Sequence, residues 1–121
     1  MRGIVLMNPN HAIGDLHPSE SFAIQKIMTD KYIEEKNISP VILNPYQLYP
    51  YYTIPHVLLF NLQNKQVKQI DCLVLHSIET MERFITIYPE KWLELCGYFN
   101  EVISVSDRMS YSLTPKGKEA N

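Results

Sequence analysis

Four short apolar runs punctuate the chain, each ending in a polar break. Gly3-Ile4-Val5-Leu6-Met7 comes first and stops at Asn8-Pro9-Asn10. Unbroken apolarity over four or five residues is the pattern of a strand buried on both faces. Pro40-Val41-Ile42-Leu43, Cys72-Leu73-Val74-Leu75 and Val102-Ile103-Ser104-Val105 repeat it. Between these runs the spacing turns helical. Over residues 22–36, Ile24, Ile27, Met28 and Tyr32 recur on one side, with Lys26, Asp30, Lys31, Glu34 and Glu35 on the other. This predicts an amphipathic helix with the apolar set inward, capped by Ser19 or Ser21 and closed by Asn37. A second helix is predicted over residues 55–67, where Pro55 suits the first turn and Val57, Leu58, Leu59, Phe60 and Leu62 are apolar. A third runs from Ser77 to about Tyr88 with Met81, Phe84, Ile85 and Tyr88 inward. Pro89 restarts it, and Trp92, Leu93 and Cys96 face the core until Gly97 ends the segment.

Strands separated by helices imply a three-layer α/β sandwich around a mainly parallel sheet of four to five strands. At 121 residues the chain is one domain. The domain is assigned to residues 1–107, and the breaker-rich residues 108–121 to a polar, loosely ordered C-terminal tail. Residues 45–53 fit no regular element. Their tyrosines, Tyr46, Tyr49, Tyr51 and Tyr52, either cover apolar area on a surface loop or form an interaction surface.

Charge and composition narrow the function only a little. A formal net charge of −2 excludes a global basic field for nucleic acid, leaving at most weak DNA binding. No apolar run reaches transmembrane length, so no membrane partner is expected and the cytoplasm is the expected compartment. Cys72 and Cys96 lie in apolar segments and read as reduced, buried thiols.

Chemistry in open α/β sheets collects at the carboxyl ends of the strands. His11, Asp15 and His17 share one loop there, but three ligands without a fourth do not define a metal site, and no metal is assigned. His76 and Ser77 are adjacent on an extended segment and point to opposite faces, which forbids a nucleophile–base bond. Glu79 and Glu82 suit the start of a helix, where carboxylates favour its dipole. No cation lies near Cys96 to make it reactive. Neither a Walker loop nor Gly-x-Gly-x-x-Gly is present, so no cofactor is assigned.

One family resemblance covers about residues 2–107. Ile70-Asp71-Cys72-Leu73-Val74-Leu75-His76-Ser77-Ile78-Glu79-Thr80-Met81-Glu82-Arg83 resembles the strand and Asp-Arg-Leu-x-Arg turn of the serine recombinases, the resolvase/invertase family. Ser21-Phe22-Ala23-Ile24-Gln25 resembles that family's Ser-x-x-x-Gln at the head of its first helix, and Ser106-Asp107 follows the fourth strand where the family places such a turn. The resemblance implies a resolvase-like fold. It also implies a phosphate site built from a serine nucleophile after the first strand and a set of arginines. That chemistry is largely missing. Pro9 or Asn10 stands at the nucleophile position, Met7 or Asn8 at the preceding arginine, Glu79 for the aspartate and Thr80 for the first turn arginine. Arg2 lies at the wrong end of its strand. What remains as a phosphate-site remnant is Arg83, Glu79 and Gln25, and no catalytic residue is assigned.

The resulting expectation is a degenerate, truncated recombinase-like domain that is not an enzyme. It would act as a binding, accessory or regulatory protein in DNA recombination or a mobile element, with a related recombinase or itself as partner. Two alternatives stay open: a strand-transfer recombinase with a displaced nucleophile such as Ser19 or Ser21, and a small α/β regulatory or ligand-binding module.

Overall fold

The computed structural model describes residues 1–111, and its centre is β1 (Arg2–Leu6), which has neighbours on both sides. On one side lies β4 (Ile70–Leu75), with Gly3 beside Cys72 and Val5 beside Val74, and beyond it β5 (Phe99–Ser104). All three are parallel. On the other side β1 meets two short parallel strands in succession, β2 (Ser39–Pro40) and β3 (Tyr51–Tyr52). The far edge is β6 (Met109–Tyr111), antiparallel to β5. Because β2 and β3 share the outer edge of β1, the six strands fill five positions. The architecture is therefore α/β with an open, mostly parallel sheet, of six strands where four to five were expected.

Helices lie on both faces. Among the described residues one face carries only α1 (Pro18–Glu35), over Val5, Met7, Cys72, Val74 and Ile103. The opposite face packs Ile4, Leu6, Leu73, Leu75, Phe99 and Val102 against α2 (Pro55–Asn64), a 3-10 turn (Ile78–Met81), α3 (Glu82–Ile87) and α4 (Pro89–Cys96). The alternation of inward sides along each strand sorts the two cysteines as well. Cys72 belongs to the α1 face and Cys96 to the other, so they are free and cannot bridge.

Several expectations need correction. The first helix starts four residues earlier than expected. His17, not a serine, is its cap: its Nδ1 accepts from the Ser19 backbone, while Glu20 accepts from the His17 backbone. Its end is as expected, since Asn37 takes a φ of 53° and the Ile38 N–H returns to the Ile33 carbonyl. Its inner face is not. Ser21, Gln25 and Thr29 are the fully buried residues, while Ile27 is 66% exposed. The second strand is also not one piece. Pro40, Pro45 and Pro50 withhold backbone donors; the Val41 N–H still bonds to the Gly3 carbonyl, and residues 42–50 then leave the edge before Tyr51 rejoins it. Val41 and Leu43, expected in that strand, are buried in the core.

The expected third helix is a 3-10 turn followed by α3, and Pro89 opens α4 as expected. On α4 the buried set is Trp92, Leu95 and Cys96, whereas Leu93 is exposed. Of the four residues expected inward before Pro89, only Met81 is fully buried. Arg108 lies in the turn before β6 and residues 109–111 form that strand rather than a tail; residues 112–121 of the expected tail lie outside the described residues.

Candidate functional site

Register decides what meets at the carboxyl edge. Val5 stands beside Val74 and Val74 beside Ile103, so one step further along, Met7, His76 and Val105 lie side by side on the α1 face. The Val105 and Ser106 amides donate to the Leu75 and His76 carbonyls, which carries the ladder past the formal end of the strands. The loop over residues 8–17 crosses this edge and delivers the chain to α1.

The loop is clamped by one buried amide. Gln25 Oε1 accepts from the Asn8 N–H at 3.0 Å, and Gln25 Nε2 donates to the Asn8 carbonyl at 2.8 Å. The Asn8 side chain continues the chain of bonds, donating from Nδ2 to the Thr80 carbonyl at 2.9 Å. Thr80 Oγ1 then donates to the Ser77 carbonyl at 2.7 Å. The loop after β1 and the turn after β4 are thus stitched to each other by short polar side chains. Such a network stabilises a position rather than offering groups to a ligand, because its donors and acceptors are already used. Gln25 is 0% exposed, so this remnant of the expected phosphate site holds backbone.

Two buried polar atoms at this end have no hydrogen-bond partner among the described residues: Ser21 Oγ and His76 Nδ1. Burial holds the His76 imidazole below its ordinary pKa. The nearby His11 acts the same way, while Asp107 and Glu79 oppose the shift more weakly. The fold therefore prefers neutral His76. Its contribution to stability is complete above about pH 6.5 and is lost as the pH falls toward and through the depressed value. Unfolding free energy measured by urea titration between pH 7.5 and 5 is expected to fall more steeply in the wild type than in His76→Gln. Equal slopes would mean that His76 is not held neutral.

The other sequence candidates separate in space or role. Glu79 and Arg83 are both exposed, and no carboxylate lies within ion-pair distance of Arg83 among the described residues. Thr80, which the resemblance set at an arginine position, is buried. His17 is used as a helix cap, and Ser19 Oγ lies 2.9 Å from its Nδ1 as part of that cap. No three His, Cys, Asp or Glu side chains are grouped to hold a metal among the described residues. Burial pushes the thiols of Cys72 and Cys96 up to about 12, which leaves both protonated and unreactive; Glu101 and Asp71 add to the effect at Cys72.

The tyrosines divide. Tyr46 is 87% exposed and Tyr49 is also outward, but Tyr52 is buried, its hydroxyl bonded to Asn61 and Gln47. Tyr52 is thus a core residue and not part of an interaction surface. Tyr51, half-buried, packs its ring edge-on against Phe22 and stacks on Tyr49. Two features escaped the sequence reading. Asn8 joins the two loops, and Asp107 accepts from Ser104 Oγ at 2.9 Å to fasten the β5–β6 turn. A short polar residue after each strand is the only sequence trace of either.

Comparison with protein families, with curated proteins and with solved structures finds no match. No helix among the described residues is long and apolar enough to cross a membrane.

Proposed function

We propose that this chain is a serine-recombinase-like domain without strand-transfer chemistry, which works by binding a protein partner, either a related recombinase domain or a second copy of itself. The observation that carries this reading is the contrast between a closed carboxyl edge and an open apolar surface. At the edge, Asn8 is bonded to both Gln25 and Thr80, and Arg83 is in no ion pair among the described residues. Phosphoryl transfer needs an accessible nucleophile and clustered cations where charge develops. Neither displaced serine supplies them: Ser21 Oγ is sealed in the interior and Ser19 Oγ is hydrogen-bonded to Nδ1 of His17, the cap of α1. Away from the edge, α2 exposes Val57 and Phe60 in line with its capping residue Ile54, and the preceding segment exposes Tyr46, Leu48 and Tyr49. Large apolar and aromatic side chains outside a core favour protein contact, and a few such anchors carry most of an interface.

The test is sedimentation of the protein alone, with a serine recombinase, and with recombination-site DNA. A complex is expected that weakens at least about thirtyfold in Leu48→Glu/Phe60→Glu, the effect of losing one central anchor. Failure to associate with any of the three removes the proposal. A covalent protein–DNA adduct abolished by Ser19→Ala or Ser21→Ala would replace it with an enzyme.

A further inference from the structure

A single helix cannot cover a five-position sheet. Five strands about 4.8 Å apart make a face about 24 Å wide, against about 10 Å for a helix. Among the described residues the α1 face is consequently open beside the helix. A groove of about 620 Å³ runs between the second half of α1 and the β5–β6 hairpin, with Ile103 and Val105 among its apolar residues. Its volume lies within the range of small-molecule sites, about 300–1,000 Å³.

The charge along this groove is opposite in sign to that of the chain. Lys31 on α1, Lys36 just past its end and Arg108 on the hairpin line it, against the carboxylate of Glu35, with Glu101 near enough to Tyr32 to add to burial in raising its pKa. The whole protein carries −2. None of the three cations is in an ion pair among the described residues, where the only pairs are Lys26–Asp30 and Lys91–Glu94. Asp107, next to Arg108, is already bonded to Ser104 and Ser106. Tyr32 adds a half-buried ring to the wall, with Lys36 Nζ 5.9 Å from its centroid.

We infer that this groove binds a small phosphorylated molecule with a flat ring, of the mononucleotide class. The cations take the phosphate oxygens through charge-assisted hydrogen bonds, as lysine and arginine do wherever anions are held. Tyr32 and the apolar residues take the ring, whose faces are tolerant of aromatic and aliphatic neighbours. Glu35 supplies an acceptor for a ring N–H or a sugar hydroxyl. The inference is independent of the partner surface proposed above, which involves α2 and the segment before it. The groove lies at the β5–β6 edge of the sheet, whereas the segment before α2 lies by β3 at the opposite edge, and α2 is on the other face.

ADP, inorganic phosphate and adenosine, titrated separately into the full chain and followed by amide NMR shifts, test it. ADP is expected to move the amides of residues 28–36 and 103–110, phosphate to compete with it, and adenosine to bind at least about tenfold more weakly. Arg108 has a φ of 54°, which asparagine also accepts, so Arg108→Asn removes the charge without straining the turn. Arg108→Asn and the exposed Lys31→Gln should each weaken ADP binding by about tenfold while the unliganded spectrum away from the hairpin stays unchanged. The inference is overturned by unmoved groove amides at millimolar ADP, by equal affinity for adenosine, or by ADP binding that both variants retain. Loss of the partner complex would not touch it, and loss of ADP binding would not touch the partner complex.

Discussion

Gln25→Leu is expected to lower the unfolding free energy by about 3 kcal/mol, read as a drop in the urea midpoint with an unchanged slope. Leucine occupies similar space, so the loss reports hydrogen bonds more than volume. The glutamine amide satisfies both backbone groups of Asn8. Each buried group left without a partner costs about 1–3 kcal/mol, and two are orphaned together. Near its transition a chain of this size should lose about 4 °C of melting temperature per kcal/mol, so a fall of about 12 °C should accompany the change.

Gln25→Glu separates the donor from the acceptor. A carboxylate still accepts from the Asn8 N–H, but its second oxygen would face the Asn8 carbonyl, which offers no proton. Only the protonated acid reproduces the pair of bonds, so the folded state raises the pKa of this glutamate above the ordinary value near 4.3. A raised folded value means that the variant is closest to wild type at low pH. It loses ground as the pH rises through the folded-state value. The difference between variant and wild type, measured from pH 4 to 8, should therefore widen with pH. A leucine variant within about 0.5 kcal/mol of wild type, the scatter of an ordinary surface change, would show that the clamp does not hold the loop.

The same residue shows where sequence reasoning stops. The strands at the centre of the sheet are legible because Val5, Leu73 and Val74 sit in unbroken apolar runs, and nothing but a two-sided core explains such runs. Asn37 and Pro89 are legible because each has one backbone conformation or one missing donor to contribute, and the chain turns or restarts there. The inward side of α1 is not legible. Hydrophobic spacing points to Ile24, Ile27 and Met28, but the helix turns Ser21, Gln25 and Thr29 inward: Gln25 bonds the loop backbone at Asn8, Thr29 donates to the Gln25 carbonyl of its own helix, and Ser21 Oγ has no partner among the described residues. A polar inner face leaves no mark in apolar periodicity. The split edge strand escapes for the opposite reason. Val41, Ile42 and Leu43 satisfy every local rule for a strand, yet the three prolines around them deny the edge its donors and the core takes Val41 and Leu43 from a loop. Gln25, which the resemblance placed in a phosphate-site remnant, is buried and bonded to the Asn8 backbone as a support for the loop.

Gly3→Ala is expected to destabilise by about 2–3 kcal/mol, a cost typical of forcing one methyl group into a filled site. Gly3 has Pro40 beside it on one strand and Cys72 on the other, and its missing side chain would point to the α1 face. A Cβ built there meets Cys72 Sγ at 2.7 Å, Ile38 Cγ2 at 2.9 Å and the Cys72 carbonyl at 3.1 Å. Both side-chain atoms lie inside normal contact distance for carbon, and the carbonyl belongs to the sheet ladder and cannot move without breaking pairing. The requirement is therefore for space, not for an unusual backbone angle. Cys72→Ala removes the nearest atom and leaves a small void, so alone it should cost about 1 kcal/mol. Combined with Gly3→Ala, the new methyl takes up the room that the sulfur vacated. The pair should then be less destabilised than the sum of the two by about 1 kcal/mol or more, a coupling that only touching residues show. Recovery stays partial because Ile38 and the carbonyl remain. Strict additivity of the two changes would mean that β1 and β4 are not packed as closely at this point as the register requires.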